Sequence, residues 1–410
     1  MPVVIFVLGL AVFAQGTSEF MLSGLIEPIA ADIGVSLGSA GLLTSLFAVG
    51  MIIGAPLMAM TAGRWPARHA LTGCLSLFIA AHVVGALTTT FAVLLATRVV
   101  AAVANAGFLA VALAALPTLA GPHRVGRATS IILSGVTLAC IAGVPAGAFL
   151  GQTLGWRSAF WAVVVVSVPA LVGTWLLVRP MPRTQRSAGG SLWAEWRALG
   201  LPRVRVALIL GGFVNAATFA TFTYLAVITT DIGGAAPAWT PIVLALFGIG
   251  SFLGVTLGGR YTDRHAHIIV TAGSIALPLI WTITALIAHS LPGILIMTTI
   301  AGATAFAVGS TWISLIVTAA TPTAPHLSGA FATTALNIGA ATGPALAALA
   351  ITTTETPTSA PWTSTALAAT ALTIATLTRH HWTPATRNPI PIPTRSPTAG
   401  EMRGTRGDVR

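Results

Sequence analysis

Leu46-Phe47-Ala48-Val49-Gly50-Met51-Ile52-Ile53-Gly54 is followed ten residues later by Arg64, and Leu246-Phe247-Gly248-Ile249-Gly250-Ser251-Phe252-Leu253-Gly254 is followed ten residues later by Arg264. The two runs stand 200 residues apart. Almost everything around them is apolar and long enough to span lipid, so the chain reads as two copies of one membrane unit. A duplicated bundle of membrane helices is the architecture of an alternating-access carrier.

Composition sets the same boundary. Of 410 residues, 55% are hydrophobic and 7% charged, whereas a soluble globule carries about a quarter charged residues. The net charge of +11 does not point to nucleic acid, because the basic residues sit between apolar spans and not on one folded face. Cys74 and Cys140 fall singly within apolar spans, which excludes a readable disulfide framework or metal site. The histidines form no set with nearby acids, so neither metal nor cofactor is expected. The first apolar stretch, from Val3, has no basic leader or small-residue cleavage site and is expected to stay as a membrane helix.

A span takes about 20 apolar residues. That rule gives an all-α integral membrane fold of twelve helices, at 3–28, 38–60, 70–89, 91–119, 128–151 and 158–178, then 206–229, 240–259, 268–288, 292–320, 328–350 and 361–379. The domains are 1–178, an N-terminal six-helix bundle; 179–205, a cytoplasmic linker with an interfacial helix around Trp193 and Trp196; 206–379, a C-terminal six-helix bundle; and 380–410, a disordered basic tail rich in Pro and Thr. Basic residues belong to cytoplasmic loops. Eighteen of the twenty, all arginines, fall in the even loops, the linker or the tail, which sets both termini on the cytoplasmic side of a multi-pass protein of the cell membrane. The exceptions are Arg157 and Arg98, the latter inside the fourth span.

The fifth span holds Gly143-Val144-Pro145-Ala146-Gly147-Ala148-Phe149-Leu150-Gly151. Glycines four apart let a neighbouring helix approach closely, and the proline bends the span. Such a face suits a helix that rocks, and it also serves tight packing alone. Gly343-Pro344 stands at the matching place 200 residues on.

With these runs, and with Gly155-Trp156-Arg157-Ser158-Ala159-Phe160-Trp161 and Gly16-Thr17-Ser18-Glu19-Phe20, the chain resembles the major facilitator superfamily, in particular its twelve-helix drug:proton antiporters. Within that group it is most similar to the chloramphenicol-resistance exporters of actinomycetes, over Gly16–Leu25, Ala40–Pro56, Arg98–Leu113, Ser134–Ala162, Phe247–Arg260 and Ala332–Ala348. The resemblance implies conformational motifs at Gly54, Arg64 and Arg68 and at Gly254, Asp263 and Arg264, beside Gly143, Pro145, Gly147, Gly151, Gly343 and Pro344. Two departures stand out. The first loop reads Thr61-Ala62-Gly63-Arg64 and lacks the acid that Asp263 supplies in the second, and Ala101-Ala102 stand where the family carries Gln and Gly after the fourth-span arginine.

A charge within lipid costs several kcal/mol unless it is paired or in a wet cavity, so Arg98 must face the bundle interior. The resemblance assigns it to proton coupling; a purely structural arginine capping carbonyls is the other reading. Glu19 is the natural proton carrier, because an intramembrane carboxylate can load and release a proton as a cavity opens and closes. Glu27, two turns further out, is the second candidate. Phe219 and Thr298 stand 200 residues on from Glu19 and Arg98, so the proton chemistry is confined to the first half.

A substrate cavity is expected near the midplane, lined by Gln15, His82, Asn105, Asn215, Tyr224, Trp312 and Asn337. A few polar groups in an apolar cavity suit a small neutral aromatic amide such as chloramphenicol. Without a Walker loop, a dinucleotide glycine pattern or an HExxH pair, ATP-driven pumping and enzymatic readings lack residues. The expectation is proton-coupled efflux of a small drug by a monomer whose partners are the drug, protons and the lipid bilayer. Export of another solute, such as a sugar, a nucleoside or a self-made antibiotic, uses the same fold and coupling; a channel or a non-transporting sensor is the rival of another class.

Overall fold

The computed structural model describes residues 2–61, 65–121, 125–178, 192–325 and 327–379. Among them, eleven helices are long and apolar enough to cross a membrane. In chain order they are α1 (Val3–Phe20), α2 (Leu37–Thr61), α3 (Ala67–Leu87), α4 (Phe91–Ala120), α5, α6 (Trp156–Leu177), α7 (Pro202–Phe222), α8, α9, α10 (Leu291–Ala320) and α11 (Ser328–Thr354). Helix α5 is composite, with Val125–Leu138, a π turn at Ala139–Gly143 and Val144–Leu154. Helices α8 and α9 are the two arms of Trp239–Leu286, broken where His265 leaves helical φ/ψ; their spanning parts are Trp239–Gly258 and His265–Leu286.

A twelfth helix, α12 (Ser359–Leu377), forms and packs on α7 and α9, but it is too polar to count with the eleven. Its threonines explain both facts. Thr363, Thr365, Thr370 and Thr373 turn their hydroxyls back onto carbonyls one turn earlier, which satisfies each donor inside the helix while leaving the composition diluted.

An expected boundary moves. Helix α1 does not run to residue 28: it tightens into a 3-10 turn at Met21–Gly24, and a separate short helix, Ile26–Ile33, follows and ends at Gly34 with φ 76°. Glu27 therefore stands outside the span. In α5 the bend lies just ahead of Pro145, because the ring lacks an N–H and crowds the carbonyl four residues back, and the wider π turn absorbs both defects.

Buried apolar residues of one cluster all lie between Val4 and Val178, and those of another between Val206 and Ala375. A third cluster mixes the halves, with Phe20, Cys140 and Ala148 against Phe219, Phe222, Leu244 and Phe247. Its aromatic rings run in series, Phe20 to Phe219 at 5.9 Å and Phe222 to Phe247 at 4.5 Å. Helix α2 packs on α11, and α5 on α8. On the face away from the linker the halves also meet through Tyr224 against Gly41 and through Gln152 Nε2 donating to the Pro237 carbonyl at 2.8 Å. In the linker, Leu192–Glu195 and Trp196–Gly200 are helical; Trp196 stacks on Phe331 at 5.5 Å, and Glu195 accepts the Leu327 N–H at 3.0 Å.

The fifth-span glycines sit inside their own half. Gly143, Gly147 and Gly151 face Thr17, Met21 and Leu25 of the first helical segment, and Gly54 faces Val103 and Ala106 of α4. Gly254 meets the Ala303 carbonyl of α10 and Gly343 that of Ala216 in α7, while between the halves Gly248 meets the Cys140 carbonyl and Gly38 that of Ala348. Arg64 and the tail 380–410 lie outside the described residues, as do the side chains of Asp263 and Arg264.

A Cβ at Gly343 would strike the Ala216 backbone, and backbone cannot yield as a side-chain tip can. Gly343→Ala is expected to lower the stability of the detergent-solubilised protein by about 1–3 kcal/mol, read as a fall in Tm. An unchanged Tm would mean that α7 and α11 pack further apart than described.

Candidate functional site

Arg98 on α4 is 1% exposed, and its fork closes on α1. Nη1 donates to Ser18 Oγ at 2.9 Å and Nη2 to the Ser18 carbonyl at 2.8 Å, while the guanidinium lies 4.4 Å over the Phe47 ring of α2. Two charge-assisted bonds and a ring face replace the hydration that the bilayer removes.

The chain of bonds continues. Ser18 Oγ lies 2.6 Å from His82 Nε2, and His82 Nδ1 lies 2.8 Å from the Phe78 carbonyl. A carbonyl can only accept, so Nδ1 carries the proton and Nε2 of the neutral ring accepts from Ser18. The order is then Arg98 to Ser18 to His82 to Phe78, each donor pointing the same way. His82, between the Phe78 and Phe160 rings, has both nitrogens engaged inside the bundle and holds Ser18 for Arg98.

Glu19 follows Ser18 on α1, where the Arg98 charge acts on its carboxylate and the Asn105 side chain hydrogen-bonds it. Asn105 is seven residues beyond Arg98, two turns along the same face of α4. Gln15 is one turn before Glu19 on α1, 1% exposed, with neither amide oxygen nor nitrogen partnered by a described residue. A buried amide with no protein partner needs water or a ligand. Glu19, Arg98 and Asn105 are thus brought together between α1 and α4, with Gln15 one turn before Glu19 on α1.

The second-half candidates are not drawn into one cluster with these. Asn215 donates to the Leu336 carbonyl at 2.6 Å and ties α7 to α11, Asn337 donates back to Thr333 at 2.9 Å, and Tyr224 is fully buried with its hydroxyl 3.4 Å from the Pro344 carbonyl. Trp312 belongs to the second-half apolar core. Glu27 is exposed on its short helix, with Asp231 of the other half as its neighbouring charge.

Two features escaped the sequence reading. Ser18 is the hub of the arginine network, yet a serine inside an apolar helix carries no signal of its own. The other is a latch at the start of α6: Asp32 accepts from Arg157 and, at 3.0 Å, from Trp156 Nε1, while Arg157 also donates to the Thr88 carbonyl at 3.1 Å. Arg157, the second exception to the arginine pattern, is therefore paired, and it stands in the first turn of α6.

The sequence profile of the Major Facilitator Superfamily matches residues 8–344. The chain belongs to that superfamily. It is a multi-pass membrane transporter, similar to a chloramphenicol resistance protein of Streptomyces lividans at 48% identity over 327 residues, 79% of this chain and 83% of the relative. It is 30% identical over 301 residues to the inner membrane transport protein YdhP of Escherichia coli O157:H7, 73% of this chain and 77% of that protein. Among solved structures, a mutant of the nucleoside transporter NupG shares the fold with a TM-score of 0.76 at 13% identity, over 93% of this chain and 99% of that one.

In this superfamily member, Ser18→Ala would strip Arg98 and His82 of a shared partner. The expected cost is about 1–3 kcal/mol of stability, measured by thermal unfolding in detergent; an unaltered Tm would assign the hub to another group. The latch has a pH signature. Hydrogen bonds from Arg157 and then Trp156 hold the Asp32 carboxyl below the usual aspartate range, so its contribution is present above that range and is lost as pH falls through the lowered value. Asp32→Asn should therefore lower stability by under about 1 kcal/mol at neutral pH, and the gap to wild type should close in acid. A gap that persists in acid would make the latch a packing effect.

Proposed function

We propose that this transporter exports chloramphenicol across the cytoplasmic membrane in exchange for protons, with Glu19 as the proton carrier and Arg98 as the group that biases its release. The observation that carries the reading is the placement of the Glu19 carboxylate between the Arg98 charge and the Asn105 amide, one helical turn from the unpartnered Gln15 amide. The drug follows from the resistance protein of Streptomyces lividans that the chain resembles at 48% identity.

An ionised Glu19 balances Arg98 and closes the site. A proton arriving from outside neutralises the carboxylate, leaving Arg98 held by Ser18 and the Phe47 ring and Glu19 free to part from Asn105. Gln15 and Asn105 then offer amide groups to the hydroxyl and amide functions of a neutral drug. An entering proton exchanged for a neutral solute is driven by both the pH gradient and the membrane potential. In this reading α12 also crosses the bilayer, residues 1–178 and 206–379 are two six-helix bundles that rock about the midplane, and the linker and both termini face the cytoplasm. The chain works as a monomer.

The test is accumulation of radiolabelled chloramphenicol in energised cells with and without this chain, followed by a protonophore. Accumulation should be lowered by the transporter and rise when the gradient collapses. Glu19→Gln should abolish uphill export while retaining drug binding, and Arg98→Ala should fail in the same assay. Undiminished resistance in Glu19→Gln would overturn the coupling assignment, and a normally active Arg98→Ala carrier would make Arg98 structural.

A further inference from the structure

A groove of about 550 Å³ lies mostly on the second half, with Pro56 of α2 also in its lining. Helix α7 from Leu208 to Ala216 is its floor, α11 from Phe331 to Leu346 and Leu367 of α12 are its walls, and Trp196 and Leu199 of the linker close one end. The α11 wall extends about 22 Å at helical rise, more than one leaflet of a hydrocarbon core roughly 30 Å thick. Ile209, Ile338 and Leu346 in this lining are 46%, 48% and 44% exposed. They stand on spanning helices, so hydrocarbon meets the opening.

The linker end has a different chemistry. Arg205 lies one turn before Ile209 on the stripe of α7 that continues through Gly212 and Ala216, and Arg205, Arg203 and Arg197 are all exposed. Two polar atoms of the lining, Trp196 Nε1 and Thr334 Oγ1, are buried without a partner among the described residues. An apolar trough that ends in arginines and an unused indole N–H fits a molecule with a long hydrocarbon tail and an anionic head.

We propose that this groove binds one acyl chain of an anionic phospholipid, with the phosphate held at the linker rim by Arg205 and its neighbours. The first half supplies the contrast. A first-half groove of about 240 Å³ shares with the second-half groove only the positions of Phe13, Ala142 and Ala146, which answer to Phe213, Thr342 and Leu346, and otherwise lies along Thr17, Leu150 and Ala159; at the end that carries Arg203 and Arg205 in the second half, the first half has Val3 and Ile5. A chain lodged there bears on α11, the helix that meets α2 of the other half.

The test uses the full-length protein in phosphatidylcholine nanodiscs doped with phosphatidylglycerol that carries a diazirine midway along one acyl chain, with the same probe as phosphatidylcholine for comparison. After illumination, labelled peptides are mapped by mass spectrometry. Labelling should concentrate on 208–216 and 331–346, exceed that from the phosphatidylcholine probe several-fold, and fall several-fold in Thr342→Trp, which fills the trough. Ile338→Trp, at an exposed position, repeats the test if Thr342→Trp does not fold, and Arg205→Gln should erase the preference for phosphatidylglycerol. Even labelling of all lipid-facing helices, equal labelling by the two probes, or displacement of the probe by chloramphenicol would each overturn the proposal. No transport step enters the measurement, so its outcome is independent of the substrate and coupling proposed above.

Discussion

A guanidinium buried in a bilayer is the constraint on which the first half is built. Arg98 cannot shed its charge and cannot reach water from its depth, so the protein has to surround it with fixed acceptors. Ser18 provides two of them, hydroxyl and carbonyl, and Phe47 a ring face. Each supporting group then needs support itself. His82 orients the serine hydroxyl, Phe78 orients His82, and α1, α2, α3 and α4 are thereby held to one another through a single charge. Glu19 adjoins this assembly, so a change in its protonation is felt by a group that all four helices share.

The second half shows what the repeat becomes without that charge. Thr298 stands in place of Arg98, Thr218 in place of Ser18, Thr282 in place of His82 and Pro278 in place of Phe78. Thr282 Oγ1 still donates to the Pro278 carbonyl at 2.7 Å, as His82 does to Phe78, and Thr218 folds its hydroxyl back onto Val214. The pattern of internal satisfaction survives while the ionisable groups are gone. Trp281 and Thr298 line a residual space of only about 10 Å³, so bulk fills the region that a guanidinium takes up in the other half. One half holds the charge chemistry and the other a neutral scaffold of hydroxyls, and they join through the aromatic series from Phe20 to Phe247.

The repeat, the eleven strongly apolar helices, the family and the interior facing of Arg98 were legible because each follows from the price of polarity in hydrocarbon. Weaker signals read less well. The helix α12 was legible at 361–379, but its threonines keep its composition below that of the eleven spans. The end of α1 was placed eight residues late, because Met21, Leu22, Leu25 and Ile26 are as apolar as the helix before them and nothing in composition marks the 3-10 turn. The glycines of α5 were read for the close approach of a neighbour, in a rocking helix or in tight packing alone, and the packing supplies that neighbour, α1; glycine spacing reports close approach without naming the partner.

Sequence alone determined that this chain lives in a membrane as a duplicated carrier, which residues are too polar for hydrocarbon, and which half holds them. Those are properties of single residues and of their spacing along the chain. Which polar groups meet was decided by tertiary structure: Ser18 and Arg98 are 80 residues apart and Asp32 and Arg157 are 125 apart. Likewise Gln15 was left without a partner while Asn215 was given the Leu336 carbonyl. A hydrogen bond depends on distances of a few tenths of an ångström between different helices, and only their packing sets those distances.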